Sequence, residues 1–179
     1  RHYAAIGEAS GLPQILYNVP GRTGCDMQPA TVARLAQQFG ICGIKEATGD
    51  VARVTTLRDL CGAEFALYSG DDASACDFML RGGNGVISVT TNVAAAEMAQ
   101  LCRLALAGER DAALALNEQL MPVHRTLFIE SNPIPVKWAC ARLGLIANSG
   151  LRLPLTPLST DGAMAMEQAL TRAELIKRA

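Results

Sequence analysis

The sequence predicts an α/β protein built on a parallel sheet. Strand-like and helix-like segments alternate four times over residues 11–108, with short connections between them. A strand, a helix and a second strand joined in this way form a parallel pair with a right-handed crossover. Beyond Gly108 only helix-like segments follow. We therefore divide the chain into a βα region at residues 1–108 and a helical region at residues 109–179.

The strands are predicted from four short apolar runs that are bounded by turn residues. These runs cover residues 14–19, 41–47, 65–69 and 85–89. Both faces of each run are apolar, which is typical of strands that helices cover.

The intervening helices are predicted from start and stop signals around segments with apolar residues three and four positions apart. Proline is favoured in the first turn of a helix, and aspartate or asparagine side chains cap helix starts. The starts are Pro29, Asp50, Asp71 or Asp72, and Asn92. Glycine commonly follows the last turn. The stops are Gly40, Gly62, Gly82 and Gly108.

Helices are also predicted at both ends of the chain. The later ones cover residues 111–129, the segment after Pro133 and Pro135, and residues 161–179. Residues 1–10 read as the tail of an amphipathic helix and do not begin with methionine. We expect this sequence to be part of a longer chain.

Four βα units leave two architectures open. A closed (β/α)₈ barrel needs about 250 residues, so this chain could form an open doubly wound sheet or the second half of a barrel. The order of the elements does not distinguish an open sheet from half of a barrel. The candidate functional residues have to distinguish them.

The composition excludes several classes of partner. Half of the residues are hydrophobic, and 16 basic against 17 acidic side chains give a net charge of −1. Nucleic-acid and membrane-surface binding favour a basic excess, so neither partner is expected. The six cysteines are scattered without zinc-site spacing, which predicts reduced thiols and a cytoplasmic location. No apolar run approaches the length of a membrane span.

Lys45 is the first candidate for chemistry because it lies inside the apolar run at residues 41–47. A buried lysine is unfavourable unless it is paired or uncharged. One interpretation is a lysine at the strand end that reaches solvent or pairs with Glu46. The other is a desolvated amine that attacks a carbonyl carbon and forms an imine. Position alone slightly favours the first interpretation.

Tyr17 strengthens the second interpretation. It lies 28 residues before Lys45, which is about the length of a strand, a helix and the next strand. The two side chains are therefore expected on neighbouring strands at the same rim of the sheet, where α/β active sites form. A phenol beside an amine can move protons during imine formation, although a tyrosine packed in the core is the commoner case.

Arg22 and two stretches of backbone complete the candidate site. Arg22 follows Tyr17 in a predicted loop at residues 19–24, and its planar guanidinium suits a substrate carboxylate. Gly70 ends the third strand, and the fourth contains residues 85–88, so the backbone could approach a small ligand at both places. A solvated arginine, a tight turn and a core strand are the simpler alternatives.

No metal or nucleotide site is expected. His2 and His124 are the only histidines and are interpreted as structural. The glycine-rich residues 82–85 come between a helix and a strand, whereas dinucleotide-binding loops come between a strand and a helix.

With these residues in view, the sequence closely resembles the dihydrodipicolinate synthase family. The resemblance rests on LYNVPGRTGCDM at 16–27, GIKEATGD at 43–50, YSGDDA at 68–73, GGNGVISVT at 82–90 and NPIPVKWA at 132–139. These motifs span most of the chain in family order. The resemblance implies the second half of a (β/α)₈ TIM barrel, made of four βα units, followed by a C-terminal helical region.

The resemblance also implies roles for the candidate residues. Lys45 would form an imine with pyruvate, and Tyr17 would relay protons. The resulting enamine would attack the aldehyde of L-aspartate 4-semialdehyde, followed by cyclisation and loss of water to give 4-hydroxy-tetrahydrodipicolinate, a step of lysine and diaminopimelate biosynthesis. Arg22 would bind the semialdehyde carboxylate, while Gly70 and the carbonyl of Ile87 would line the pyruvate pocket. The resemblance implies a homotetramer, and it implies no metal or organic cofactor.

Three alternatives remain. A related pyruvate lyase, such as an N-acetylneuraminate lyase or a keto-sugar aldolase, would share the lysine and the tyrosine but not Arg22. An inactive half-barrel fragment would keep Lys45 without chemistry, because the family's first half supplies a Thr-Thr pair and a further tyrosine that do not map onto this sequence. A nucleotide-binding domain is disfavoured because no glycine-rich loop follows a strand.

Overall fold

A computed structural model describes residues 1–38 and 40–176 as two compact units, one formed by residues 1–87 and the other beginning at Ser88. The first unit contains a parallel sheet and its helices. Its strands are β1 (Gln14–Asn18), β2 (Ile41–Glu46), β3 (Ala66–Ser69) and β4 (Gly85–Val86). Its helices are α1 (His2–Ser10), α2 (Pro20–Thr23), α3 (Pro29–Ala36), α4 (Ala52–Cys61) and α5 (Ala75–Leu80).

The strands are all parallel and lie in the order β1-β2-β3-β4. Each strand therefore pairs with its neighbour in sequence, and the order never reverses. A doubly wound sheet has a point at which the strand order reverses, whereas a barrel adds its strands in sequence. Of the two architectures left open by the sequence, this order is that of a barrel.

The two faces of the sheet differ. On one face, Leu16, Ile44 and Leu67 are fully buried against the helices. Helix α3 contributes Val32 to this core, and α4 contributes Val54 and Leu57. The opposite face carries partly exposed side chains, at Ile15, Tyr17, Lys45, Tyr68 and Ile87. Because side chains alternate along a strand, each strand supplies both faces in turn.

The second unit is helical. After a 3₁₀ turn at Thr90–Asn92, its helices are α6 (Ala95–Leu106), α7 (Arg110–Thr126), α8 (Ile134–Arg142) and α9 (Thr160–Arg172). The core includes Val123, Leu127, Met166 and Leu170. His124 is buried, and its Nδ1 lies 2.8 Å from the Thr90 hydroxyl oxygen. This packing agrees with the structural role expected for His124.

The structure corrects several local predictions. Asn92 does not cap a helix: its side-chain amide donates to the Val89 carbonyl at 2.9 Å, and α6 begins only at Ala95. The predicted strand at 85–89 ends at Val86 because the chain turns into the 3₁₀ segment. Helix α5 begins at Ala75, after the N-cap position Ser74, and not directly after Asp71 or Asp72. The Asp71 side chain accepts a hydrogen bond from the Ser74 amide at 3.0 Å.

The Asp50 Oδ1 accepts from the amide of Ala52, the first residue of α4, at 3.0 Å, but the N-cap position is occupied by Val51, one residue later than predicted. The apolar pattern at 32–39 ends on Phe39, which lies outside the described residues. The boundary at residue 108 was drawn where the βα pattern ends and stays a prediction, since the division into compact units falls earlier, after Ile87. Within the described residues, no helix has both the length and the apolar character needed to cross a membrane.

Candidate active site

Lys45 and Tyr17 occupy paired positions on β2 and β1. Both side chains are on the face of the sheet opposite the helices. The Lys45 Nζ lies 4.4 Å from the centroid of the Tyr17 ring, which is within the range of a cation–π contact. The structure thus brings together the two groups that the 28-residue spacing placed on adjacent strands.

The amine keeps access to solvent. Tyr17 is 46% exposed, and Lys45 is half-buried. Of the simpler interpretation, access to solvent is found but the pairing with Glu46 is not: Glu46 is on the opposite face of β2 and bonds other partners. Among residues 1–38 and 40–176, Lys45 has no ion-pair partner.

Gly70 lies directly against the lysine side chain. A Cβ atom added there would come within 2.9 Å of the Lys45 Cε and 2.6 Å of the Ala47 Cβ. Both distances are shorter than any normal contact, so only glycine leaves the lysine its present position. The Gly70 amide donates to the Glu46 carbonyl at 2.7 Å, which fixes this close approach.

Tyr68 was missed by the sequence analysis. It is paired with Lys45 from the other side, on β3, and therefore lies on the same face. A Cβ atom added to Gly85 would meet the Tyr68 ring at 3.4 Å, so the ring lies over that glycine. Lys45 is thus flanked by a tyrosine on each neighbouring strand. The 23-residue spacing from Lys45 to Tyr68, the length of one βα unit, was the signal that could have revealed it.

Arg22 does not lie in a loop, as the sequence suggested, but in the one-turn helix α2 (Pro20–Thr23). Proline at the first position favours this turn, and Gly24, with φ of 65°, ends it. The Thr23 hydroxyl donates to the Cys25 carbonyl at 2.9 Å, and its oxygen lies 3.2 Å from the Val19 carbonyl oxygen. Arg22 itself is exposed, at the end of the sheet where β1 ends.

Ile87 directly follows β4 and is 41% exposed. Its amide donates to the Ser69 carbonyl at 2.9 Å, which holds the segment alongside the end of β3. Ile87, Gly70, Lys45 and Tyr17 therefore all stand at or beside the carboxyl ends of their strands.

A second set of polar residues lies immediately behind the lysine and the tyrosine, on the helix-covered face. Asn18 and Glu46 are buried, and the Asn18 amide nitrogen bonds the Glu46 Oε2 at 3.0 Å and the Asp26 Oδ1 at 2.9 Å. Arg53 of α4 forms two bonds with Asp26, at 2.9 and 2.5 Å, and lies 3.5 Å from Glu46. We refer to Asn18, Asp26, Glu46 and Arg53 as the polar clamp.

The polar clamp has clear electrostatic consequences. The bonds from Arg53, and then the bond from Asn18, lower the pKa of the Asp26 carboxyl. The same contact with Asp26 raises the pKa of Arg53. Asp26 and Arg53 therefore stabilise each other's charged forms. The sequence analysis missed this cluster, since an ion pair 27 residues apart leaves no local pattern.

Three of the six cysteine thiols are made less reactive by burial. Burial raises the pKa of the Cys61, Cys102 and Cys140 thiols, which makes them poor nucleophiles at neutral pH. Within the part of the chain that the structure describes, no three metal-binding side chains come together.

Comparison with known proteins agrees with this geometry. The sequence description of the dihydrodipicolinate synthetase family matches residues 1–173. The chain belongs to that family. A dihydrodipicolinate synthase from Acinetobacter baumannii, solved in complex with pyruvate, superposes with a TM-score of 0.94 at 50% identity. The match covers 98% of this chain and 60% of that one.

Other relatives give the same result. The 4-hydroxy-tetrahydrodipicolinate synthases of Sodalis glossinidius and Escherichia coli are 60% and 56% identical over 176 residues, which is 98% of this chain. The Thermotoga maritima dihydrodipicolinate synthase superposes with a TM-score of 0.92 at 37% identity, covering 98% of this chain and 60% of that one. This member of the dihydrodipicolinate synthetase family spans about 60% of the length of these relatives. The predicted fold class, four βα units of a barrel followed by helices, is confirmed.

Proposed function

We propose that this protein forms an imine between Lys45 and pyruvate and condenses it with L-aspartate 4-semialdehyde to give 4-hydroxy-tetrahydrodipicolinate. The observation that carries the proposal is the position of the Lys45 amine, beside the Tyr17 ring and against Gly70. Membership of the dihydrodipicolinate synthetase family supports the choice of reaction.

The chemistry follows from a primary amine with a phenol at its side. The neutral Lys45 amine attacks the pyruvate carbonyl carbon, and the carbinolamine loses water to become the imine. Loss of a proton from the pyruvate methyl gives an enamine, whose carbon attacks the aldehyde. The amino group of the semialdehyde then attacks the imine carbon, closes the ring and releases Lys45. Tyr17 carries protons during these steps.

The other candidate residues bind the substrates. Arg22 stands just beyond β1, where a guanidinium can bind the semialdehyde carboxylate. Gly70 and the Ile87 carbonyl would line the pyruvate site: Gly70 directly follows β3, the neighbour of the Lys45 strand, and Ile87 follows β4 and bonds to the end of β3. We propose that no metal or organic cofactor takes part, since the lysine imine itself withdraws electrons from the reacting carbon.

Borohydride trapping tests the proposal. The protein is incubated with pyruvate, reduced and weighed. We expect a single added mass that maps to Lys45 and is lost in Lys45→Met, which keeps the apolar stem. A folded wild-type protein that gives no adduct contradicts the proposal and favours a half-barrel without chemistry.

Turnover then decides the second substrate. L-Aspartate 4-semialdehyde is expected to be consumed only when pyruvate is present, and N-acetylneuraminate is expected not to be cleaved. Cleavage of N-acetylneuraminate would assign the chain to the related lyases instead.

We further propose a cytoplasmic homotetramer. Exposed free thiols at Cys25 and Cys42 support a reducing compartment, and the tetramer rests on the family resemblance alone. Light scattering of the purified protein measures the assembly directly.

A further inference from the structure

The polar clamp joins every element that carries a candidate catalytic or binding residue of the β1–β2 edge. Asn18 belongs to β1 and Glu46 to β2, while Asp26 follows the helix that carries Arg22. Arg53 comes from α4 and bonds to the Met27 carbonyl at 3.4 Å besides its two carboxylates. Hydrogen bonds and ion pairs of the clamp thus connect four parts of the chain: β1, the segment after α2, β2 and α4.

The clamp and the reactive pair occupy consecutive positions. Tyr17 is paired with Lys45, and Asn18 is paired with Glu46 in the next step of the same ladder. Because side chains alternate, the first pair projects from one face and the second pair from the other. A shift of one strand by a single residue would exchange the faces. Such a shift would both break the Asn18–Glu46 bond and move the Tyr17 phenol away from the Lys45 amine.

The polar atoms of the Asn18 and Glu46 side chains are all hydrogen-bonded. Glu46 is 3% exposed, and its Oε1 accepts from the Thr48 amide at 2.8 Å while its Oε2 accepts from Asn18. The Asn18 Oδ1 accepts from the Met27 amide at 2.9 Å. A buried carboxylate is costly to leave unpaired, so this arrangement resists both slippage and rotation.

We infer that Asn18, Asp26, Glu46 and Arg53 are positioning residues that fix the β1–β2 register, and thereby hold Tyr17 beside Lys45 and Arg22 at the mouth of the site. The inference rests on the proposed imine chemistry for its catalytic consequence. Its structural part, the register, stands on the observed contacts alone.

Helix α4 offers a matched control. Arg58 lies five residues after Arg53 on the same helix but bonds at the opposite end of the sheet, to the carbonyls of Gly62, Ala63, Phe65 and Gly82 and to the Asn84 side chain. Arg53→Lys and Arg58→Lys are the same substitution, keep the charge and each remove a guanidinium fork. Asn18→Ala removes the link between the strands directly.

The first measurement is the rate of pyruvate trapping at Lys45 against pyruvate concentration. Misplacement by about 1 Å can lower a rate about 100-fold. We expect the saturating rate to fall at least about 10-fold in Asn18→Ala and about 3-fold in Arg53→Lys, and to stay within about 2-fold in Arg58→Lys. The half-saturating concentration is expected to change by less than about 3-fold, because these residues do not touch pyruvate. Should Asn18→Ala not fold, Arg53→Lys carries the test.

The second measurement does not depend on pyruvate. The Ala47 amide donates to the Asn18 carbonyl at 2.9 Å, and the Gln14 amide donates to the Gly40 carbonyl at the other end of the ladder. Hydrogen exchange at Ala47 is expected to rise in Asn18→Ala relative to exchange at Gln14, and to remain unchanged in Arg58→Lys.

The outcomes separate the two proposals. Faster exchange and slower trapping, confined to the clamp variants, support the inference. Unchanged trapping in the clamp variants, or equal losses in Arg58→Lys, overturns it. A wild-type protein that traps no pyruvate overturns the proposed function, and the exchange data then decide whether the clamp sets the register.

Discussion

The two ends of the first unit's sheet are each held by an arginine of the same helix, and the partners of the two arginines differ. At the carboxyl ends of the strands, Arg53 bonds to the carboxylates of Asp26 and Glu46. At the amino ends, Arg58 bonds to four backbone carbonyls and one side-chain amide. The carboxylates that Arg53 bonds are themselves bonded to a further side chain, that of Asn18. The carbonyls that Arg58 bonds belong to loop backbone.

We expect this difference to separate effects on the proposed chemistry from effects on stability. The end held by Arg53 carries Lys45, Tyr17 and Arg22, and the end held by Arg58 carries no candidate site residue. In barrels of this class the carboxyl ends form active sites and the amino ends support the fold. Substitutions at the two ends should therefore differ in kind, which the following experiments examine.

The largest effect is expected for Tyr17→Phe. The ring and its packing against Lys45 remain, but the hydroxyl proposed to carry protons is lost. Imine formation should slow by about 100-fold or more, in line with the contribution of a general acid–base group, while the free energy of unfolding changes by less than about 0.5 kcal/mol. Borohydride trapping gives the rate and urea unfolding gives the stability. An unchanged trapping rate would remove Tyr17 from the mechanism.

Gly70→Ala should affect both properties. Its methyl group would fall 2.6 Å from the Ala47 Cβ and 2.9 Å from the Lys45 Cε, so the lysine must move. We expect a loss of about 1–3 kcal/mol in stability, as for other overpacked sites, and slower trapping. Gly21→Ala is the control, because nothing lies within 4 Å of its added methyl. Equal behaviour of the two variants would show that the close approach has no consequence.

Arg58→Met should affect stability alone. Five acceptors would lose a charged donor, which lowers the free energy of unfolding by about 1–3 kcal/mol for such partly exposed bonds. Below the melting temperature, pyruvate trapping should match the wild-type rate. A slower rate in the folded variant would break the distinction between the two ends.

The smallest effect is the acid sensitivity of the clamp. Arg53 and Asn18 lower the pKa of Asp26 in the folded state, so its stabilising contribution is fully present above its unfolded pKa of about 3.9. That contribution is lost as the pH falls through the lower, folded pKa. Thermal melting should show a steeper loss below about pH 4 in the wild type than in Asp26→Asn. Parallel melting curves for the two proteins would contradict this.

The pairing of Tyr17 with Lys45 could be predicted from the sequence because a strand, a helix and the next strand occupy a limited range of lengths. Gly70 was placed at a strand end by the turn residues that follow it, and the role of the Ile87 carbonyl came from the family resemblance. The one-turn helix at Pro20–Thr23 was not predicted, since four residues are too few to show a period. The clamp was also hidden, because Asp26 and Arg53 meet only after two helices and a strand have folded.

Local signals failed where two of them competed. Asn92 looks like a helix cap, yet its amide bonds backward to Val89 and the chain makes a 3₁₀ turn first. Glu46 looked like a partner for Lys45 by adjacency. In a strand, adjacent residues face opposite ways, so the carboxylate is on the far side of the sheet from the amine.

The consecutive residues Tyr17-Asn18 and Lys45-Glu46 also restrict how this family member can change during evolution. Each dipeptide serves both sides of the sheet at once, so point substitutions can alter either side separately. Loss or gain of a single codon within either strand would exchange the faces of both residues in that strand's dipeptide. Length variation in this part of the gene is therefore expected to be confined to the segments outside β1 and β2, where no such inversion follows.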